Sequence, residues 1–272
     1  MDEQELAFKP KNLSHVEAAS FPLVALTGYK ALVLSARLEA GQKLLILGGS
    51  GGAGSLAIQL AKSLGAYVVC TCSSRNTQLC RALGADDVID YTDPGQHWWE
   101  VLKGQEFDVI YDTVGGVDSW ELSVGVLKKK TGRFLTIAGD SQEKLTVKNL
   151  ISTGASVANR KFWSLFGGNK YDYVIGHGSN FQALESVRDL IERQAIKPVI
   201  DCVYNLDDGL LVFEHSMSGR SRGKVVVSIV EDELDQVKYP HHRGGSQTRP
   251  KAGATPQPSA IAMSPVGRMT DL

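Results

Sequence analysis

The stretch LLILGGSGGAGSLAIQLAK, residues 44–62, runs from an apolar segment through a glycine- and serine-rich corner into an amphipathic segment. No other part of the chain restricts its fold as much. A tight turn out of a strand needs glycine where φ is positive, and bare backbone where another group must come close. Gly49, Gly51 and Gly54 satisfy GxGxxG, and Gly48, Gly51 and Gly54 satisfy the looser GxxGxxG. Leu56, Ile58, Leu60, Ala61 and Leu64 then supply the apolar face of a helix packed on a sheet. The glycines therefore sit at a helix N-terminus, where free N–H groups and the positive end of the helix dipole suit a pyrophosphate.

Glycine-rich turns also serve as plain connections, so context decides. Here the motif follows a strand, opens a helix and precedes a second apolar strand, AYVVCTC (66–72), at the spacing of a βαβ unit. That context makes the corner a dinucleotide cradle. In NAD-binding units an Asp or Glu about 20 residues past the glycines bonds the ribose 2′-hydroxyl and repels a 2′-phosphate. The corresponding residues are Cys72, Ser73, Ser74, Arg75 and Asn76, with no acid among them. Two hydroxyls and a guanidinium suit a phosphate dianion, so NADPH is favoured over NADH. The same residues also read as a cap on the next helix.

Further strands and helices alternate along the chain: TQLCRALGA, DDVIDY, a helix around QHWWEVLK, FDVIYDTVGG, SWELSVGVLKK and GRFLTIAG. This rhythm predicts an α/β fold, a doubly wound parallel sheet with helices on both faces. Such a sheet binds its ligand at the carboxyl ends of its strands. That rule nominates Tyr91, either packed on an adenine or an ordinary strand-end aromatic, then Val114, and then Ala138 with Gly139. Beyond Asp140 the pattern loosens. KLTVKNLISTGASVANRKFWSLFGGNK carries Phe162, Trp163 and Phe166, for which buried packing is expected over a cleft wall or an interface. YDYVIG predicts a sixth strand, FQALESVRDLIERQ a helix, IKPVIDCVY and GKVVVSIV two final strands, and the Pro-, Gly- and Ser-rich segment from Glu231 a disordered tail.

At 272 residues and 43% apolar content the chain has ample material for a core, and its net charge of −1 provides no global field for nucleic acid or anionic membranes. No apolar run approaches a membrane span, and the start, MDEQELAF, is acidic rather than signal-like, so a cytoplasmic location is expected, with a mitochondrial one as the alternative. Cys70, Cys72, Cys80 and Cys202 fall in or beside predicted buried elements, with Cys70 and Cys72 on one face of a strand. Neither a CxxC pair nor a matched His pair occurs, so no metal site is expected.

These segments carry a resemblance. KPKNLSHVEAASFPLVALTGYKAL (9–32), LILGGSGGAGSLAIQLAK, CSSRN, LGADDVIDY (83–91), DTVGG, IKPVID and RGKVVVSI together resemble the medium-chain dehydrogenase/reductases of the quinone oxidoreductase group, which includes zeta-crystallin and reticulon-4-interacting oxidoreductases. The resemblance spans nearly everything from Lys9 to Ile229. It implies NADPH binding through Ser50, Gly51, Gly52 and Ala53, through Ser73, Ser74 and Arg75, through Tyr91 and through the strand ends, with Thr27 near the nicotinamide. It also implies zinc-independent hydride transfer to a small quinone or activated enone. In that group a GroES-like barrel precedes the segment matching residues 9–32; eight residues precede Lys9, and the barrel is expected to be lacking. The domains expected are a catalytic-domain junction (1–24), an NADP(H)-binding Rossmann domain (25–195), a C-terminal segment of the catalytic domain (196–230) and a disordered tail (231–272). No catalytic side chain stands out: Tyr29, Tyr171 and Tyr173 are candidates only as tyrosines, with packing the favoured role. The reading is therefore an NADPH-dependent quinone or enone reductase, a homodimer as in many relatives, with a non-catalytic NADPH-binding or interaction protein as the alternative.

Overall fold

A computed structural model describes residues 6–116, 118–139, 147–166, 168–174 and 181–229. The chain enters through α1 (His15–Ser20) and α2 (Pro22–Tyr29), which runs on into a π-helical turn at Lys30–Ser35. Ser14 and Glu17 form a capping box at the start of α1, each side chain taking the other's backbone N–H. Strands and helices then alternate: β1 (Lys43–Leu47), α3 (Gly52–Ser63), β2 (Tyr67–Cys72), α4 (Thr77–Ala82), β3 (Asp87–Asp90), α5 (Trp98–Val101), β4 (Val109–Asp112), α6 (Ser119–Val124), β5 (Arg133–Thr136), α7 (Val147–Leu165) and β6 (Lys170–Tyr173). The strands form one sheet in the order β3-β2-β1-β4-β5-β6. Every neighbouring pair is parallel. This is the doubly wound nucleotide-binding order, whose direction reverses between β1 and β4.

Side-chain alternation makes a core on each face of the sheet. Leu44, Ile46, Val68, Cys70, Cys72, Val109 and Tyr111 pack under α2 and α3, while Leu45, Leu47, Val69, Ile110 and Phe134 pack on the other side with Trp98 and Leu102. The expected one-faced pair Cys70 and Cys72 is thus borne out. The chain continues through α8 (Phe181–Glu192), β7 (Ile200–Asn205), α9 (Gly209–Met217) and β8 (Lys224–Ser228). β7 and β8 pair in parallel as a separate two-stranded sheet, with Val203 and Val226 buried against Val16 of α1.

Three expectations need correction. The helix read at QHWWEVLK is a single turn, and that at SWELSVGVLKK stops at Val124, because Gly125 follows and Leu127 takes a bridge to Phe107. Phe162, Trp163 and Phe166 are not buried. Phe162 and Trp163 lie on the last turns of α7 and Phe166 just after it, 53, 62 and 70% exposed, and the rings pack on one another in tilted and edge-on contacts with centroids as close as 5.0 Å. The tail from Glu231 lies outside the described residues.

Candidate functional site

β1 delivers the chain to the glycine corner at the carboxyl edge of the sheet. Gly48 turns there with φ +86°. A Cβ on Gly48 would lie 2.6 Å from Thr113 Oγ1 and 2.8 Å from Val114 Cγ2, and one on Gly49 would lie 2.7 Å from Cys70 Sγ. A Cβ on Gly54 would collide with the carbonyl of Gly48 and come within 2.8 Å of the Gly49 Cα. The third glycine of the motif is therefore required by backbone packed on backbone. Gly51 is the extended N-cap of α3 and offers no side-chain cap, so the first-turn amides at Gly52 and Ala53 have no side chain to satisfy them.

The end of β2 lies beside this corner and is tied to it by a residue that the sequence reading took only as part of a helix cap, although its side chain makes no cap hydrogen bond. Asn76 is buried, and its Nδ2 donates to Ser50 Oγ at 3.0 Å and to Ser73 Oγ at 3.3 Å. Its Oδ1 is buried with no hydrogen-bond partner among the described residues. An orphaned acceptor between the glycine corner and the β2 end fits a hydroxyl-bearing ligand such as a ribose. Ser74 and Arg75 are exposed in a 3₁₀ turn (Ser74–Asn76), and Arg75 Nη2 donates to the carbonyl of Arg220 at 3.3 Å.

An acid does stand at this end, although none lies in CSSRN. Asp90 closes β3 in register with Cys72. Thr92 donates to its carboxylate through the hydroxyl at 2.6 Å and the amide at 2.9 Å. The Thr92 hydroxyl bond, joined by the amides of Thr92 and Ser74, holds its carboxyl below the ordinary value against the opposing effect of burial. Parallel pairing brings Asp90 to Ser74, which no local window reveals.

The remaining nominated residues divide. Tyr91 follows β3, 61% exposed, with its N–H on the Cys72 carbonyl at 3.1 Å. Val114 and Gly115 donate to buried Asp112 Oδ1 at 2.9 and 3.0 Å, and Ser119 Oγ donates to Oδ2 at 2.7 Å, so Asp112 shapes the loop after β4. The N–H of Gly116 reaches the carbonyl of Gly139 at 3.3 Å, and Thr136 Oγ1 accepts from the Ala138 amide at 3.1 Å, which joins the loops after β4 and β5. Thr27 is buried in α2, with its hydroxyl donating to the Leu23 carbonyl at 2.7 Å. Of the three tyrosines, Tyr171 stacks on Phe134 with centroids 5.5 Å apart. Tyr29 donates weakly to Ser186 Oγ at 3.4 Å, and Tyr173 packs against the core.

A second segment also reaches the corner. Gly223 N–H donates to the Ser50 carbonyl at 2.9 Å, Gly223 bridges Gly51 in parallel, and a Cβ on Gly52 would meet Lys224 Cδ at 2.6 Å. The turn before β8 thus lies across the mouth of the glycine corner with a cation at its end. In the sequence this turn has no marker beyond GRSRGK.

Residues 83–227 match the family described as zinc-binding dehydrogenase. The mitochondrial NAD(P)H oxidoreductase RTN4IP1 of Danio rerio is 36% identical over 241 residues, which cover 85% of this chain and 61% of that protein. A 2-methylene-furan-3-one reductase of Solanum lycopersicum is 35% identical, over 84% of this chain and 50% of that protein. A solved quinone oxidoreductase from Coxiella burnetii superposes with a TM-score of 0.67 at 27% identity, over 82% of this chain and 64% of that one. The chain thus spans between half and about three fifths of the length of these curated relatives. Its sheet order, its glycine corner and these matches agree: the chain belongs to the zinc-binding dehydrogenase family, within the quinone oxidoreductase-like group of medium-chain dehydrogenase/reductases.

Proposed function

We propose that this chain binds NADPH at the glycine corner and works as an oxidoreductase of quinones or activated enones, without a metal in the hydride step. The observation that carries the reading is the corner itself, where Gly54 backbone packs on Gly48 and α3 presents uncapped amides at the sheet's reversal point. A nicotinamide held there supplies the hydride, and the chain has to bind it, orient it and keep water away. In this assignment the α3 amides and Lys224 take the pyrophosphate, Ser73, Ser74 and Arg75 take a 2′-phosphate, and Asn76 Oδ1 takes a ribose hydroxyl. Val114, Ala138 and Gly139 present small or apolar surface to the nicotinamide end. Relatives named as an NAD(P)H oxidoreductase and as a 2-methylene-furan-3-one reductase support the reaction class.

Asp90 favours a second reading, NADH, because its carboxylate at the Ser74 amide would repel a 2′-phosphate and accept from a 2′-hydroxyl. Fluorescence titration with both dinucleotides separates the two. Tighter binding of NADPH supports the proposal, and tighter binding of NADH assigns the pocket to Asp90. Oxidation of NADPH by a panel of quinones and enals on the same sample then separates a reductase from a binding protein without catalysis.

A further inference from the structure

We propose that Asp201, Cys202 and His215 form a binding site for a divalent transition-metal ion of the zinc type, with a fourth position left to water. The three side chains offer one carboxylate oxygen, one sulfur and one ring nitrogen, and these donor atoms all lie within 4.8 Å of one another. His215 Nε2 stands 2.8 Å from Asp201 Oδ2, and Cys202 Sγ stands 3.8 Å from Nδ1 and 4.0 Å from Nε2. Ligand bonds of about 2.0–2.3 Å place tetrahedral donors roughly 3.3–3.8 Å apart, so the distances from His215 Nε2 to Asp201 and to Cys202 each lie about half an ångström or less from that range.

The backbone explains how two consecutive strand residues reach one imidazole. In a regular strand Asp201 and Cys202 would point to opposite faces. Ile200 pairs with Lys224, whereas Cys202 pairs with Val225, so Asp201 is an extra residue in β7. Such a bulge is rare in parallel pairs and re-aims a side chain, which is why bulges gather at working sites. The extra residue turns the carboxylate toward His215 on α9 without moving the sulfur away.

The surroundings suit a metal better than a plain Asp–His hydrogen bond. Tyr204 hydroxyl lies 3.0 Å from His215 Nδ1, the arrangement that fixes a ligating imidazole by its second nitrogen. Cys202 is buried, while the His215 and Asp201 side chains keep 25 and 19% of their surface, so a metal-bound water is within reach of solvent. A dication with one thiolate, one carboxylate and a neutral imidazole leaves no net charge in the pocket. On binding, the thiol proton leaves for solvent and the imidazole proton sits on Nδ1, donated to the Tyr204 hydroxyl oxygen, so that Nε2, the sulfur and the carboxylate each form one bond to the metal. Sequence spacing hides the site because its third ligand lies thirteen residues after the second, on another element.

The test uses the full chain, stripped with a chelator and titrated with Co²⁺ alone. A thiolate-to-cobalt absorption in the near ultraviolet that saturates at one equivalent and is displaced by Zn²⁺ is the expected result. It should vanish in Cys202→Ser and persist in Cys80→Ser, and Tyr204→Phe should weaken Co²⁺ about tenfold while leaving the band in place. The wild-type titration needs no variant to fold. Absence of the band in folded wild-type protein overturns the site, as does a band that survives Cys202→Ser.

Discussion

At the scale of the residue, the candidate site depends on a few atoms whose replacement has a defined cost. Arg75 is exposed, and among the described residues its side chain bonds only a backbone carbonyl at 3.3 Å, so its removal should spare the fold. Arg75→Ala should weaken NADPH by about 1.5–3 kcal/mol, roughly ten- to hundredfold, and leave NADH nearly unchanged in parallel titrations. Tyr111 is a contrasting case. Its hydroxyl is buried without a partner among the described residues, and burial, with nearby Asp112 adding to it, pushes its pKa up. Tyr111→Phe should therefore raise the denaturation midpoint, by about 1 kcal/mol of stability, since it removes a buried polar group that nothing satisfies. The glycine corner was legible because a short local window specifies it. Asn76, Asp90 and Asp112 were not, because their roles depend on which strand ends the sheet makes neighbours.

At the scale of the element, the same division holds. Apolar runs marked the eight strands of the described residues, and glycine marked the corner, but the length of α6 was decided by tertiary bridging that periodicity cannot report. One polar clamp holds α3 to the β2–β3 edge: Lys62 Nζ meets Asp86 at 2.8 Å, and Asp86 also accepts the Val68 N–H at 2.7 Å. Burial pushes the Asp86 carboxyl up, but the ammonium and amide bonds outweigh it and leave the group below its ordinary value of 3.8. The unfolded chain then binds more protons, so this stability is present above that value and is lost as pH falls through the folded one. Asp86→Asn should lose about 1 kcal/mol at neutral pH, less at high salt, with the gap to wild type closing below roughly pH 4 in denaturant titrations. α9 presents another feature of this scale. Leu210, Phe213 and Met217 project from it 82, 70 and 85% exposed, at the i, i+3, i+7 spacing of one face. Leu210→Lys with Phe213→Lys should cut binding of a hydrophobic dye and leave the thermal midpoint within about 1 kcal/mol of wild type.

For the whole molecule, one sheet supplies both the stability and the site. Its two faces are buried under separate helical layers, and its reversal point gathers the ends of β1, β2, β4 and β5 around the glycine corner. Among the described residues no helix is long and apolar enough to cross a membrane. The sequence announced this architecture because parallel strands buried on both faces read as continuous apolar runs. It did not announce that the turn before β8 returns to lie on the corner, since that contact joins residues about 170 positions apart and leaves no periodic signal. The central claim is that the corner grips a dinucleotide pyrophosphate, and Gly52→Asp tests it most directly. A carboxylate in the first turn of α3 favours the helix, meets only the flexible end of Lys224 and the Gly223 carbonyl, and repels a phosphate. A fluorescence titration with NADPH should show the variant folded and binding at least tenfold more weakly than wild type. Unchanged affinity in a folded Gly52→Asp protein would contradict the account.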